Sequence, residues 1–469
     1  MSQRTPVKSR IKVCNKSVFH LQDKKADENE LSMGLIKSAK RTGHLSLCNR
    51  GLGTVPPNVW KIDELVMDDT KEVDFSRSEQ NSWWSCEPLK MLDLSSNVIK
   101  DISPNIKMLQ ELVTLKLHDN AIMALPSEIS ELKSLSNLSL DRNKLTELPI
   151  EFYKLTELRW LSISHNKLKK VAPDIGDLVM LTFLDLSYNK LENLPPGMGY
   201  LVRLIELNLS NNELAELPPD IVNLRDLKKF NISNNNLTML PPLGELRKME
   251  VLDANHNNIE ELPDFYGCTA LKEIYLANNY IKSISMEGNK LSFVRQDVIR
   301  GGTDRMMKIC HVRETLSQLL LSSNSIESVP PEISCCTNLH YLDLGKNLIT
   351  DLPMQLGDLK KLRELVISNN KLTKIPRCVY ELESLEILLA AENQVTEINV
   401  SSDALANLRN LAVLDLTNNS IISVPPELGN FTHLRSLELM GNCFRQPRHA
   451  ILAKGTATIL SYLRDRIPT

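Results

Sequence analysis

Covalent or metal chemistry in this 469-residue chain would fall to its nine cysteines and nine histidines. Their spacing does not support it. The cysteines stand at 14, 48, 86, 268, 310, 335, 336, 378 and 443. No two form a C-x-x-C pair, so the tight sets of thiolate and imidazole that hold zinc are missing. The adjacent Cys335 and Cys336, like the rest, read as packed or surface thiols. No G-x-x-x-x-G-K-[ST], H-E-x-x-H or G-x-S-x-G segment exists to cradle phosphate, bind a catalytic zinc or raise a serine on an elbow. Gly197-Met-Gly199 copies only half of a dinucleotide fingerprint, and Arg300-Gly301-Gly302 is an isolated tripeptide. No enzyme, cofactor or metal is expected. The better candidates are side chains that recognise a surface. Trp160 and Phe183 lie 23 residues apart, with Tyr188 close behind, in a chain that is only 5% aromatic.

That spacing of 23 also organises the elements that must position these rings. Leu112-Val-Thr-Leu115-Lys-Leu117-His-Asp-Asn120-Ala-Ile122 returns as Leu135-Ser-Asn-Leu138-Ser-Leu140-Asp-Arg-Asn143-Lys-Leu145. The marker asparagine recurs at 97, 120, 143, 166, 189, 212 and 235, then at 257 and 279. It resumes at 324, 347, 370, 393, 419 and 442. A degenerate sixteenth unit, Leu45-Ser-Leu47-Cys-Asn-Arg50-Gly-Leu52, precedes them with Arg50 in the asparagine place. The pattern L-x-x-L-x-L-x-x-N-x-L resembles the leucine-rich repeat superfamily over about residues 44–448. The resemblance implies an α/β solenoid of about sixteen repeats, a curved horseshoe with a parallel sheet on its concave side. Each unit forms one short strand with two leucines turned inward. The asparagine satisfies backbone groups at the turn, and Leu-Pro redirects the chain because proline fixes φ and lacks an N–H. One unit cannot bury its own apolar face, but stacked units share a core. At ~4.8 Å per strand, sixteen units give an arc on the order of 75 Å.

Departures from the period mark the organisation. Residues 1–30 are polar, lysine-rich and aperiodic, and are expected to be disordered. Leu31, Leu35 and Ala39 followed by Gly43 predict a capping helix over 31–43. A first array spans 44–287, irregular at 66–88, where Trp83-Trp84 either cover the core or touch a partner. Residues 288–313 match 441–466 at an offset of 153: Gly288-Asn289 with Gly441-Asn442, Gly302-Thr303 with Gly455-Thr456, Arg313 with Arg466. The array therefore ends twice, and 288–315 reads as an embedded cap-like hinge. A second array follows at 316–448, then a C-terminal helical cap at 449–469 with Thr456 as a candidate N-cap. Whether the two arrays stack into one superhelix is open from sequence.

Strand alternation turns the x positions around the leucines outward, free of core duty. In the first array these include Lys116, His118, Arg142, Trp160, Phe183 and Tyr188. Aromatic and arginine side chains dominate binding hot spots, so the rings are the leading candidate partner site. In the second array the outward positions are acidic: Asp343, Glu364, Glu392, Asp415 and Glu438, against Lys346. That stripe points to a basic protein partner.

The ends of the chain narrow the resemblance. Gly441-Asn-Cys-Phe-Arg-Gln-Pro-Arg-His through Arg-Ile-Pro-Thr469, Leu35-Ile-Lys-Ser-Ala-Lys-Arg-Thr-Gly-His-Leu-Ser-Leu47 and Trp83-Trp84 closely resemble the leucine-rich repeat-containing protein 40 family. That family is intracellular and is usually longer between its two arrays, so this chain is shortened around 281–316. It brings a fold and no established catalytic site. The Leu-Pro repeats also resemble the Ras-pathway scaffold group, which implies scaffold behaviour or a regulatory subunit of a signalling complex. Composition agrees: a formal charge of -3 disfavours nucleic acid and anionic membranes. No apolar run approaches the ~18–20 residues of a membrane span, and no secretory leader is present. The sequons at Asn137 and Asn208 fall in strands, where a glycan would block the face. The expected protein is a cytoplasmic scaffold, with the nucleus open, taking protein partners and no small-molecule substrate.

Overall fold

A computed structural model describes residues 31–64, 87–262, 265, 267–282 and 315–467. Sixteen three-residue strands form one parallel sheet in strict sequence order. They are β1 (His44–Ser46), β2 (Met91–Asp93), β3 (Thr114–Lys116), β4 (Asn137–Ser139), β5 (Trp160–Ser162), β6 (Phe183–Asp185), β7 (Glu206–Asn208) and β8 (Lys229–Asn231). The sheet continues with β9 (Val251–Asp253), β10 (Glu273–Tyr275), β11 (Gln318–Leu320), β12 (Tyr341–Asp343), β13 (Glu364–Val366), β14 (Ile387–Leu389), β15 (Val413–Asp415) and β16 (Ser436–Glu438). In each strand the central residue is buried, as Leu161 and Leu184 are at 0% exposure, while its neighbours face out. The return side is built from short 3-10 turns such as Ser127–Glu131 and Pro173–Asp177, each opened after an extended proline or alanine and each burying one aliphatic residue. Gly197 and Gly199 are buried in such a turn, Pro196–Tyr200. A Cβ on either would run into the carbonyl of Pro173 or Asp220 in a neighbouring unit. Close packing of units, not a nucleotide, accounts for this pair.

The asparagines join the units. Asn166 Nδ2 donates to the carbonyls of Ile163 and Ser164 in its own turn and to Leu140 of the preceding unit, at 3.1, 3.1 and 2.9 Å. Its Oδ1 accepts from Leu145 N at 3.0 Å, again in the preceding unit. The same set recurs from Asn97 to Asn442. These amides are nearly buried, and satisfying every polar atom is what makes their burial tolerable.

The interruption does not break the sheet. Glu273, Ile274 and Tyr275 of β10 pair with Gln318, Leu319 and Leu320 of β11. Asn324 Nδ2 donates to Leu276 O at 3.0 Å, and its Oδ1 accepts from Ile281 N at 3.1 Å, although the partners are 48 and 43 residues away. The ladder counts neighbours in space, so the chain between 282 and 315 adds length without shifting register. The proposed hinge at 288–315, the irregular 66–88 with its two tryptophans, and residues 1–30 lie almost wholly outside the described residues.

Helices close both ends. The helix α1 (Met33–Thr42) buries Ile36 and Ala39 beside β1 and stops at Gly43, whose φ of 68° suits glycine. At the far end α2 (His449–Leu452) and α3 (Thr456–Arg464) follow, and α3 buries Ile459, Leu460 and Leu463. The Thr456 hydroxyl does not cap its own helix. It accepts from Leu437 N of β16 at 2.9 Å, so it finishes the sheet edge instead.

Candidate binding surface

The outward side chains stand in columns because every unit repeats one backbone. Trp160 and Phe183 open adjacent strands in direct register. Their rings stack with centroids 5.0 Å apart and planes 7° from parallel. Tyr188 is not part of that pair. It stacks on His165 at 4.0 Å and 10°. Both residues sit just before their asparagines at φ of 53° and 52°. Left-handed backbone costs a non-glycine residue roughly 1–2 kcal/mol. Here it is held by bonds to the next unit, as when Tyr188 N donates to Ser210 O at 2.9 Å. One constrained turn repeated 23 residues later projects two rings in parallel. The candidate site therefore holds two stacked pairs, with His165 an outward position that sequence reasoning did not join to the aromatic cluster. Tyr188 is 49% exposed. Such rings present wide, stiff area, and their pairing removes rotamer freedom before any partner arrives.

Lys116 and His118 lie two to three units before the rings. Lys116 reaches Asp93 at 3.8 Å, and Arg142 reaches Asp119 at 3.4 Å. His118 Nδ1 and Ser139 Oγ are 3.1 Å apart, and Ser139 Oγ donates to Asp141 Oδ2 at 3.0 Å. The three residue types are those of a hydrolytic triad, in the wrong order. A triad needs the carboxylate on the imidazole and the imidazole on the hydroxyl. Here the serine lies between the other two and gives its proton to Asp141. That carboxylate also accepts from the Ser162 hydroxyl and, at 2.9 Å each, from Ser164 N and Oγ. It is an acceptor hub tying β4 to β5. Among the described residues no group of three His, Cys, Asp or Glu could hold a metal ion.

The second array places Asp343, Glu364, Asp415 and Glu438 on strands and Glu392 at the left-handed turn, with φ of 53°. Asp343 Oδ1 accepts from Gly345 N, and Asp415 Oδ1 from Thr417 N, both at 2.9 Å. The Glu392 carboxylate accepts from Asn369 Nδ2 at 2.8 Å. Between these acids stand half-buried aliphatic side chains that sequence reasoning passed over: Leu320, Val366, Ile387, Leu389 and Val413. Tyr341 joins them. A cavity of about 490 Å³ opens over Leu320, Tyr341 and Ile387, rimmed by His340, Glu364 and the Arg363–Glu386 pair. Burial first, then the charges of Asp343 and Glu364, push the Tyr341 phenol up to about 12.

The family described as a leucine-rich repeat region matches residues 150–262 and 302–463, more than half of the chain. The chain belongs to the leucine-rich repeat family. Shorter leucine-rich repeat matches cover 110–168 and 247–289. Leucine-rich repeat-containing G-protein coupled receptor 6 of Danio rerio is 58% identical over 41 residues, which is 9% of this chain and 4% of that protein. A solved leucine-rich repeat protein of Leptospira interrogans is 27% identical with a TM-score of 0.72, covering 90% of this chain and 95% of its own. The plant peptide hormone receptor RGFR1, solved in complex with RGF2, is 25% identical with a TM-score of 0.61, covering 86% and 63%. The leucine-rich repeat fold is in general a scaffold for protein–protein interaction. Among the described residues no helix is long and apolar enough to cross a membrane.

Proposed function

We propose that this leucine-rich repeat chain is a non-catalytic intracellular scaffold that holds a protein partner on its concave face. The observation that carries it is the double stack, Trp160 on Phe183 and His165 on Tyr188, across two adjacent units. Four aligned rings give a partner apolar area with little entropy left to lose. Lys116, His118 and Arg142 flank the rings. The acids Asp343, Glu364, Glu392 and Glu438 form a second contact for basic partner residues. The non-catalytic reading is supported by the His118–Ser139–Asp141 string, whose order makes it a structural tie and not a triad. RGFR1 in complex with RGF2 shows that a protein of this fold is solved holding a partner. The intracellular setting is supported by Asn137 and Asn208, which lie on β4 and β7, where a glycan would fill the concave channel. Resemblance to the leucine-rich repeat-containing protein 40 family supports the same setting and the cytoplasm, or nucleus, as its place.

The test is affinity purification of the tagged full chain from its native cells, beside a variant carrying Trp160→Ala, Phe183→Ala and Tyr188→Ala. A stoichiometric protein retained by the parent and lost from the variant is the expected result. Retention by both would move the contact away from the rings. Turnover by the purified single chain would overturn the scaffold reading.

A further inference from the structure

Each unit leaves its strand through the left-handed turn residue, the asparagine and four further positions, and these stretches line one rim of the solenoid. In three consecutive units they open Arg142-Asn-Lys144, His165-Asn-Lys167 and Tyr188-Asn-Lys190. With Lys169 and Lys170 they hold six exposed Lys or Arg against two glutamates, Glu147 and Glu192. The same positions of the next three units hold Glu213, Glu216, Glu260 and Glu261 and no Lys or Arg. After the junction Lys346, Lys371 and Lys374 are matched by Glu327, Asp351, Glu392 and Glu397. Among the described residues the five lysines of the basic stretch make no ion pair, and Arg142 alone reaches an acid, Asp119 at 3.4 Å. Lys144, Lys167 and Lys190 are fixed in register, since their N–H groups donate to the preceding unit at 2.9, 2.8 and 2.9 Å. Like charges facing each other across neighbouring strands are unfavourable, so this ladder leaves a repulsion that a bound anion would relieve.

We propose that this rim holds an acidic segment of the protein partner, a run of Asp and Glu laid along Lys144, Lys167 and Lys190. This rests on the ring face being that partner's site, and it names the partner's chemistry there. Ladder and rings share the same units: His165 and Tyr188, stacked at 4.0 Å, stand two residues before Lys167 and Lys190. Stacking spends one face of each ring on the other, and the edges carry the positive part of the aromatic quadrupole, which suits a carboxylate. The ladder spans two unit spacings, about 10 Å. An extended peptide places same-side carboxylates ~6.8 Å apart, within reach of the flexible lysine stems. Asp119 bounds the patch on one side, and Glu213, next in the lysine column, bounds it on the other. A nucleic-acid strand or a lipid surface would carry its negative charge across both, whereas a peptide can confine its acids to the patch. Complementary charge at such a rim speeds encounter and selects the partner, and the rings supply the contact area.

A fluorescein-labelled peptide of alternating Asp and Glu, titrated with the full chain and followed by fluorescence anisotropy, tests it. Saturable binding that weakens about tenfold as salt rises is expected. Lys144→Glu with Lys167→Glu and Lys190→Glu should weaken it at least about tenfold. Lys346→Glu with Lys371→Glu and Lys374→Glu makes the same change in net charge on the same rim of the second array, and should shift it less than about twofold. All six lysines are exposed, so both variants should keep the parent's cooperative urea transition. No saturable binding, equal losses in the two variants, or tighter binding of an oligothymidylate or of phosphatidylserine vesicles than of the peptide would each overturn the proposal. Purification from native cells separates this failure from that of the parent reading. A partner lost with Trp160→Ala, Phe183→Ala and Tyr188→Ala but kept in full by the variant at Lys144, Lys167 and Lys190 sinks the acidic segment alone. Peptide binding by a chain that retains no ring-dependent partner sinks the parent reading alone.

Discussion

Two stretches of one concave face, before and after the β10–β11 junction, treat charge differently on the same backbone. Before it, Asp93 meets Lys116, Asp119 meets Arg142, and Glu206 meets Lys229 at 2.7 Å, each across one unit. After it, the nearby ion pairs are Lys360–Glu383 and Arg363–Glu386, at the edge of the face. The acids of the strands themselves are held by amides and hydroxyls, as Asp415 is by Thr417. Cross-unit pairing neutralises Asp93, Asp119 and Glu206 of the first stretch, while Asp185 and Asp253 are held by backbone amides as Asp415 is. The second stretch keeps its negative field beside aliphatic contact area. In a solenoid the core residues fix the shape and the outward columns are free, so one molecule can carry two unlike surfaces.

The largest effect tests whether the two stretches share one body. Asn189→Ala in the first array and Asn324→Ala at the junction each strip several buried backbone partners. At ~1–3 kcal/mol per group left unsatisfied, each variant should lose about 3 kcal/mol in urea titration. Equal losses within a single transition are expected, and a silent Asn324 variant or two separate transitions would break the molecule into two bodies. Next come the rings. Trp160→Ala with Phe183→Ala should weaken the partner about 30- to 100-fold, some 2–3 kcal/mol in a binding titration, with a far smaller change in folding. Lys229→Met removes the exposed pair to Glu206 and should cost at most ~1 kcal/mol, a loss that shrinks in high salt. A larger, salt-insensitive loss would mean that pairing is structural in the first stretch.

The smallest effect is a pH shift at Tyr341. Its phenol is raised in the fold from an ordinary value of 10.0 to about 12, by burial first and then by Asp343 and Glu364. A group held up this way adds stability that is complete below pH 10 and is lost as pH rises through about 12. Asp343→Asn should lower the tyrosinate midpoint yet leave it above 10, because burial remains. Ultraviolet titration against Tyr341→Phe reads the difference. An unchanged midpoint would show that the acidic column exerts no field on its own face.

The leucine spacing made the strands and their order legible, since L-x-L can bury both leucines only as a strand with alternating faces. The asparagine was legible as a turn group, but not the fact that it serves the preceding unit. The left-handed turn was hidden because it carries no glycine signal: Arg142, His165, Tyr188 and Glu392 share the conformation and no chemistry. That is why Tyr188 was grouped with Trp160 instead of His165. The aliphatic half of the second face was hidden for another reason. In Ile387-Leu388-Leu389-Ala390 four apolar residues run together, and only the pairing of β14 with its neighbours decides that Leu388 and Ala390 turn inward. Continuity across the junction needed the contact of Lys272 O with Gln318 N, 3.1 Å apart in space and far apart in sequence.

The asparagine ladder has a direction. Each unit's turn is completed by a side chain that belongs to the unit after it, as Leu145 N waits for Asn166 and Ile421 N for Asn442. A chain emerging from the ribosome meets this as a delay, because the newest unit stays unfinished until the next asparagine is clear of the exit tunnel. Arrest-peptide profiling of nascent chains should therefore show folding steps one repeat behind synthesis, and steps that coincide with each strand's own exit would contradict it. At β16, among the described residues, the edge is met by the Thr456 hydroxyl and, nearby, by Arg464 on the Gly429 carbonyl. The helix α3 thus takes over at the β16 edge the part that the next unit's asparagine plays elsewhere, and β16 stays unfinished until that helix is clear of the tunnel.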